Sequence, residues 1–185
     1  MKIIFLDLDG VICLASEWGG RVNKQKSWNR KFPDRAVEYD CDLRLMDVEY
    51  RFDNFNEKAV RVLNEILEET GAEIVLSSDW RFGCTLKEMQ SLFELYGVSR
   101  GPIDYTPTLN VEDFRKLEEE GKKGYEDERS IEINKWLLLH PETDRWVAVD
   151  DLNMSEGLTN FVHTKRMNEG IKQSGIKEQI LKFFK

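Results

Sequence analysis

Few residues in this chain are suited to holding a fold together by crosslinks. Its three cysteines, Cys13, Cys41 and Cys84, leave an odd count and form no Cys-x-x-Cys, which speaks against a disulfide framework and a cysteine zinc site. The two histidines, His140 and His163, stand far apart and read as structural. There is no internal repeat and no low-complexity tract. No apolar run approaches the length of a membrane span, and no charged-then-apolar leader pattern comes before the first strand. The expectation is a soluble, cytoplasmic protein in a reducing setting. A formal net charge of -8 has the wrong sign for coating nucleic acid with the whole surface. A single domain over 1–185 is long enough to bury a core without crosslinks.

What the chain does have is an Asp-x-Asp-Gly at the end of its first hydrophobic run, Lys2-Ile3-Ile4-Phe5-Leu6-Asp7-Leu8-Asp9-Gly10. The run reads as a buried strand, and both carboxylates fall where it gives out into a glycine turn. Aspartates at i and i+2 of an extended strand share a face. At about 4 Å and an effective dielectric near 20 they repel by roughly 4 kcal/mol, which a divalent cation or a shared proton relieves. A metal site or an acid/base pair is one reading, and a solvated Asp-Gly turn is the other.

A polar and aromatic stretch from about Glu17 to Asn54 follows, with neither helical nor strand period, and reads as a flap or small insertion. From Asn56, the spacing of Ala59, Val60, Leu63, Ile66 and Leu67 predicts a helix closed by Gly71. Glu73-Ile74-Val75-Leu76 reads as a strand ending in Ser77-Ser78-Asp79. Thr85 is placed to cap a helix carrying Leu86, Met89, Leu92, Phe93 and Tyr96, closed by Gly97. The stretch from Gly101 to Glu128 is turn-rich and charged and is expected to be irregular surface. Ser130 is expected to cap a third helix, stopped by Pro141. Arg145-Trp146-Val147-Ala148-Val149 reads as a strand ending in Asp150-Asp151, followed by a short strand near Phe161-Val162-His163 and a helix from about Gly175 to Phe184. Strands alternating with helices predict an α/β fold, a Rossmann-like, mainly parallel sheet with helices on both faces.

Three of these strands end in small polar or acidic residues: Asp7 and Asp9, Ser77 and Ser78, Asp150 and Asp151. In a parallel sheet such ends lie along one edge, where ligands bind. On these motifs the chain resembles the haloacid dehalogenase-like superfamily of Mg-dependent phosphatases over nearly its whole length. Asp7-Leu8-Asp9-Gly10 matches the first motif, Ser77 the second and Asp150-Asp151 the fourth. Arg129 occupies the place of the third-motif cation. Lys122 and Lys123 compete for that role, but they lie in a glycine-flanked loop that reads as a solvated face. Within the superfamily, Leu76-Ser77-Ser78-Asp79-Trp80-Arg81, Arg129-Ser130-Ile131-Glu132-Ile133 and Val149-Asp150-Asp151 are most similar to the phosphatase-like domain of Swiss Army Knife RNA repair proteins.

The resemblance implies that Asp7 is the nucleophile and forms an aspartyl-phosphate, and that Asp9 is the general acid and base. It implies Mg²⁺ held by Asp7, by the Asp9 backbone carbonyl and by Asp150 or Asp151. Ser77 would donate to a phosphoryl oxygen and Arg129 would neutralise the transferring group. Ser78, Arg81 and Lys123 are candidate substrate contacts, and Asp79 could face substrate too; for Arg81 and Asp79 an ion pair at a helix entry is the competing reading, and Ser78 is open in the same way. Cys13 reads as a small buried residue. An aspartate at position 9 favours phosphate-ester hydrolysis over the dehalogenase and phosphonatase branches, while transfer to an alcohol stays open.

Neither gap between motifs holds a large, well-formed cap, so the expectation is a minimal or absent cap and an open site. From Glu17 to Arg35, six Lys or Arg face two acids, with Trp18, Trp28 and Phe32 interleaved. Charge and stacking together can hold a single-stranded nucleic-acid end; an ordinary flap packed on the core is the alternative. The expected substrate is a phosphorylated nucleic-acid end or nucleotide, with a small metabolite phosphate or a non-catalytic binding role as the alternatives.

Overall fold

The computed structural model describes residues 1–14, 30, 55–122 and 124–185. The expected flap and the substrate-contact candidate Lys123 therefore lie outside the described residues, Arg30 excepted. Strand β1 (Lys2–Leu6) is followed by α1 (Glu57–Thr70), β2 (Glu73–Leu76), a 3-10 turn (Asp79–Gly83), α2 (Leu86–Leu95), β3 (Pro102–Tyr105) and α3 (Val111–Glu119). Then come α4 (Tyr125–Leu139), β4 (Arg145–Asp150), β5 (Phe161–His163), a short 3-10 turn (Gly170–Lys172) and α5 (Ile176–Lys182). Among the described residues all the strand pairs are parallel, and the order is β3-β2-β1-β4-β5.

β1 lies at the centre, between β2 and β4, which is why it is an unbroken apolar run: a parallel strand covered on both faces needs no polar side. Its alternate residues serve two cores. Ile4 and Leu6 join the helical faces of α1, α2 and α5, while Ile3 and Phe5 pack with Ile133 and Trp136 of α4. Phe5 meets Trp136 edge to face at 5.3 Å between ring centroids and Trp146 at 5.7 Å. The sheet thus has helices on both faces, as the alternation predicted. Among the described residues, no helix is long and apolar enough to cross a membrane.

Local signals account for most helix ends. The Asn56 side chain accepts from the backbone of Lys58 and Ala59 at 3.1 Å, and Gly71 turns out of α1 at φ +66°. Thr85 and Glu88 form a reciprocal capping box on α2.

Two expectations are corrected. The stretch from Gly101 to Glu128 is not irregular: it contains edge strand β3, helix α3 and the start of α4. β3 escapes notice because an edge strand needs little burial, and in Pro102–Tyr105 only Pro102 is buried. α3 carries Val111, Phe114 and Leu117 at helical spacing within a strongly charged segment, and it buries Leu117 alone. Ser130 is not a cap either. It lies inside α4, with its hydroxyl donating back to the Glu126 carbonyl at 2.7 Å, and the helix starts after Gly124 with Glu126, Asp127 and Glu128 at its positive end.

α4 is tied to the sheet and to the 3-10 turn by polar contacts. Trp136 Nε1 donates to Asp104 Oδ2 on β3 at 2.6 Å. Arg81 Nη2 donates to Glu132 Oε1, also at 2.6 Å, with both side chains less than a tenth exposed. Glu132→Ala strands the Arg81 charge and is expected to cost about 3–5 kcal/mol in urea denaturation, whereas Arg81→Met combined with Glu132→Leu should recover most of the loss.

Candidate active site

The strand order reverses between β1 and β4, since the chain runs outward through β2 and β3 on one side and through β5 on the other. At such a switch point a crevice opens beyond the strand ends. The register pairs Leu6 with both Leu76 and Val149. The next residues, Asp7, Ser77 and Asp150, are therefore neighbours across three strands. Backbone bonds continue the ladder there: Asp7 N donates to Val149 O at 3.0 Å and Ser77 N to Leu6 O at 2.9 Å.

After β1 the chain wraps into a tight turn in which the Leu8 carbonyl accepts from the amides of Val11, Ile12 and Cys13. Gly10 sits in it at φ +70°, and a Cβ there would lie 2.5 Å from Asp151 Oδ2. Glycine is thus required twice, for the backbone angle and for the space the Asp151 carboxylate fills. Cys13 is buried in the core, as expected.

Arg129 joins the strand ends from α4. Its Nη1 donates to Asp7 Oδ1 at 3.0 Å, to Asp150 Oδ2 at 3.2 Å and to the Ser77 carbonyl, and its Nη2 donates to Asp79 Oδ1 at 3.2 Å. Asp7, Asp150 and Asp151 each bring a carboxylate oxygen within 4.8 Å of the other two. A cleft of about 210 Å³ opens over them, lined by Asp7, Asp9, Ser78, Asp79, Arg129 and Asp151, with Tyr125 and Leu152.

A family model described as the HAD domain in Swiss Army Knife RNA repair proteins matches residues 3–174. The chain belongs to this family. No curated protein and no solved structure gives a significant match. Membership implies hydrolase function of the phosphatase type and a phosphorylated substrate.

In this HAD domain the acids differ in setting. Asp7 and Asp150 are buried and Asp9 is exposed. Burial, reinforced by the Asp150 charge, holds the Asp7 carboxyl well above the ordinary carboxylate range, against the pull of Arg129 and of the Ser78 hydroxyl. Burial likewise pushes Asp150 up to about 7, opposed by Arg129, and raises Asp151, where the Asp9 charge adds to it. Burial works against the Arg129 charge, but Asp7, Asp150 and Asp79 outweigh it and keep the guanidinium protonated. One guanidinium facing several crowded carboxylates leaves the cluster rich in negative charge and in hard oxygen donors. That donor set fits a divalent cation such as Mg²⁺.

The remaining candidates are placed as follows. Ser77 is buried at the site, and its hydroxyl is a buried polar atom without a hydrogen-bond partner among the described residues, the kind of orphan a phosphoryl oxygen can satisfy. Ser78 lines the cleft. Arg81 does not: its guanidinium is engaged by Glu132 and by the Ser78 carbonyl at 3.0 Å. Asp79 faces the cleft and pairs with Arg129. Lys122 pairs with Glu120 on the surface. His163 Nε2 bonds the Asp151 carbonyl at 2.8 Å, and His140 stacks on Trp136; both support the framework. Sequence reasoning missed Trp80, whose Nε1 donates to Asp9 Oδ2 at 2.8 Å, and Tyr125, which is among the residues lining the cleft. The signal for Trp80 was an aromatic residue directly after a polar strand end.

Carboxyls that hold protons more tightly folded than unfolded stabilise the fold at low pH and lose that contribution as pH rises through their folded values. In metal-free protein the Asp150 contribution is therefore expected to be full below about pH 4 and gone above about 7. Denaturation of metal-free wild type and Asp150→Asn across this range should show the wild type losing stability with rising pH relative to the variant. Parallel profiles would contradict the assignment.

Proposed function

We infer that this HAD domain is a Mg²⁺-dependent phosphomonoesterase that works through an aspartyl-phosphate. The observation that carries the reading is the convergence of Asp7, Asp150 and Asp151 to within 4.8 Å, with Asp9 and Arg129 lining the same cleft. Asp7, the Asp9 backbone carbonyl and Asp150 or Asp151 would hold Mg²⁺, which when bound supplies positive charge to the phosphoryl oxygens and keeps Asp7 ionised.

A carboxylate oxygen of Asp7 attacks phosphorus as the bond to the leaving oxygen breaks. That oxygen takes the bond's electron pair together with a proton from Asp9. Water then attacks the phosphorus and gives its proton back to Asp9. The bond to Asp7 breaks, and inorganic phosphate leaves with Asp7 restored. Ser77 Oγ and Arg129 bind phosphoryl oxygens and hold the group in line.

The favoured substrate is a terminal phosphate of a nucleic acid or nucleotide. Support comes from the family's description by RNA repair proteins and from the basic and aromatic composition of Glu17 to Arg35. Phosphate release should be measured from an aryl phosphate, from 3'- and 5'-phosphorylated oligonucleotides and from a nucleotide. Asp7→Asn should lower every rate by more than about a thousandfold, and residual full activity would remove Asp7 from the mechanism. Arg30→Glu with Lys31→Glu should lower kcat/KM for the oligonucleotides by about tenfold and leave the aryl phosphate unchanged. An equal effect on both would point to a small-metabolite phosphatase.

A further inference from the structure

Asp7, Asp79 and Asp150 each pair with the Arg129 guanidinium on α4. Asp9 is met by a neutral donor from elsewhere: Trp80 Nε1–H, 2.8 Å from Oδ2. Trp80 is 3% exposed, belongs to the core cluster beneath α1 and α2, and lies 6.0 Å from the Phe55 ring. Asp9 itself is exposed. A rigid, core-anchored ring thus holds a carboxylate that would otherwise sample several rotamers.

The 3-10 turn that carries Trp80 is itself clamped. The next residue, Arg81, is locked to Glu132 on α4 at 2.6 Å and to the Ser78 carbonyl at 3.0 Å, and Cys84 Sγ donates to the Trp80 carbonyl at 3.3 Å. The indole therefore projects from a turn held on both sides.

The chemistry of the donor adds a constraint that its position alone does not. An indole N–H can only donate, and the carbonyl oxygen of a carboxylic acid accepts better than its hydroxyl oxygen. The bond to Oδ2 therefore favours the acid form whose O–H is on Oδ1. No described residue bonds to Oδ1.

We propose that Trp80 is a positioning residue for Asp9: it fixes the carboxyl rotamer and reserves Oδ1 as the oxygen that gives and takes the proton. This rests on the phosphomonoesterase reading, in which Asp9 protonates the leaving oxygen. An arginine in the same place would add charge; the indole orients without it. Proton transfer is worth most when the leaving oxygen is basic, so the effect of Trp80 depends on the leaving group. A merely structural role would lower all substrates alike.

The test compares wild type with Trp80→Phe on an activated aryl phosphate and on an alkyl phosphate, using kcat/KM, which reports the first phosphoryl transfer. The expected result is a loss of at least about tenfold on the alkyl ester and a much smaller one on the aryl ester. Equal losses on both, or none, would overturn the proposal. If the wild type releases phosphate from neither ester, the parent reading fails, and this one with it. A second measurement needs no turnover and no substitution of Trp80. Among the indole N–H signals of the five tryptophans, that of Trp80, assigned through its backbone, should move upfield and exchange faster with water in Asp9→Ala. An unmoved signal would show that the bond does not form, and would also overturn the proposal.

Discussion

Close packing of like charges is the constraint around which this structure is organised. Three parallel strands end side by side, and two of them deliver aspartates, Asp7 and Asp150, that are buried. Left alone, these carboxylates would repel one another and suffer the cost of leaving water. Arg129 answers both problems with one guanidinium, which bonds to Asp7, Asp150 and the Ser77 carbonyl. The answer is partial, since Asp7, Asp150 and Asp151 all remain shifted toward their protonated forms. A site under-neutralised by its own residues is one that favours a cation and the charged phosphoryl group such a cation accompanies.

The requirement reaches well beyond the cleft. Arg129 must project from a helix that cannot slide, and α4 is held by Trp136 to Asp104 on one side and by Glu132 to Arg81 on another. The latter pair also fixes the turn that carries Trp80. Framework and chemistry are thus joined by polar bonds, while the apolar clusters on the two sheet faces supply the stability against which such bonds can be held. Ion pairs in that setting specify geometry more than they add stability.

Much of this was legible in the residue order because a central parallel strand has to be continuously apolar and because its functional groups have to follow it. The runs Lys2–Leu6, Glu73–Leu76 and Arg145–Asp150, and the aspartates and serines just past them, could be read without coordinates. Asn56, Gly71 and Thr85 announced helix ends through their own hydrogen bonding. β3 and α3 were not read in the same way: an edge strand with one buried residue imposes hardly any pattern, and the short apolar period of α3, Val111, Phe114 and Leu117, is set among charged residues and buries only Leu117. For Arg81 an ion pair was among the readings, but the identity of its partner was not legible, and neither was that of the partner of Trp80. Their bonds reach Glu132 and Asp9, far along the chain, and such contacts follow from packing, which no local period encodes.

The glycine turn after β1 carries a further implication. Gly10 leaves room for the Asp151 carboxylate, and Asp7 stands beside Asp150 only while β1 and β4 are paired. The cluster is therefore a property of tertiary contact between the two ends of the chain, absent from either half alone. Whatever binds these acids binds the native state and ignores the unfolded one, so by mass action it adds its own binding free energy to folding. Ligand occupancy and resistance to unfolding become two readings of one equilibrium.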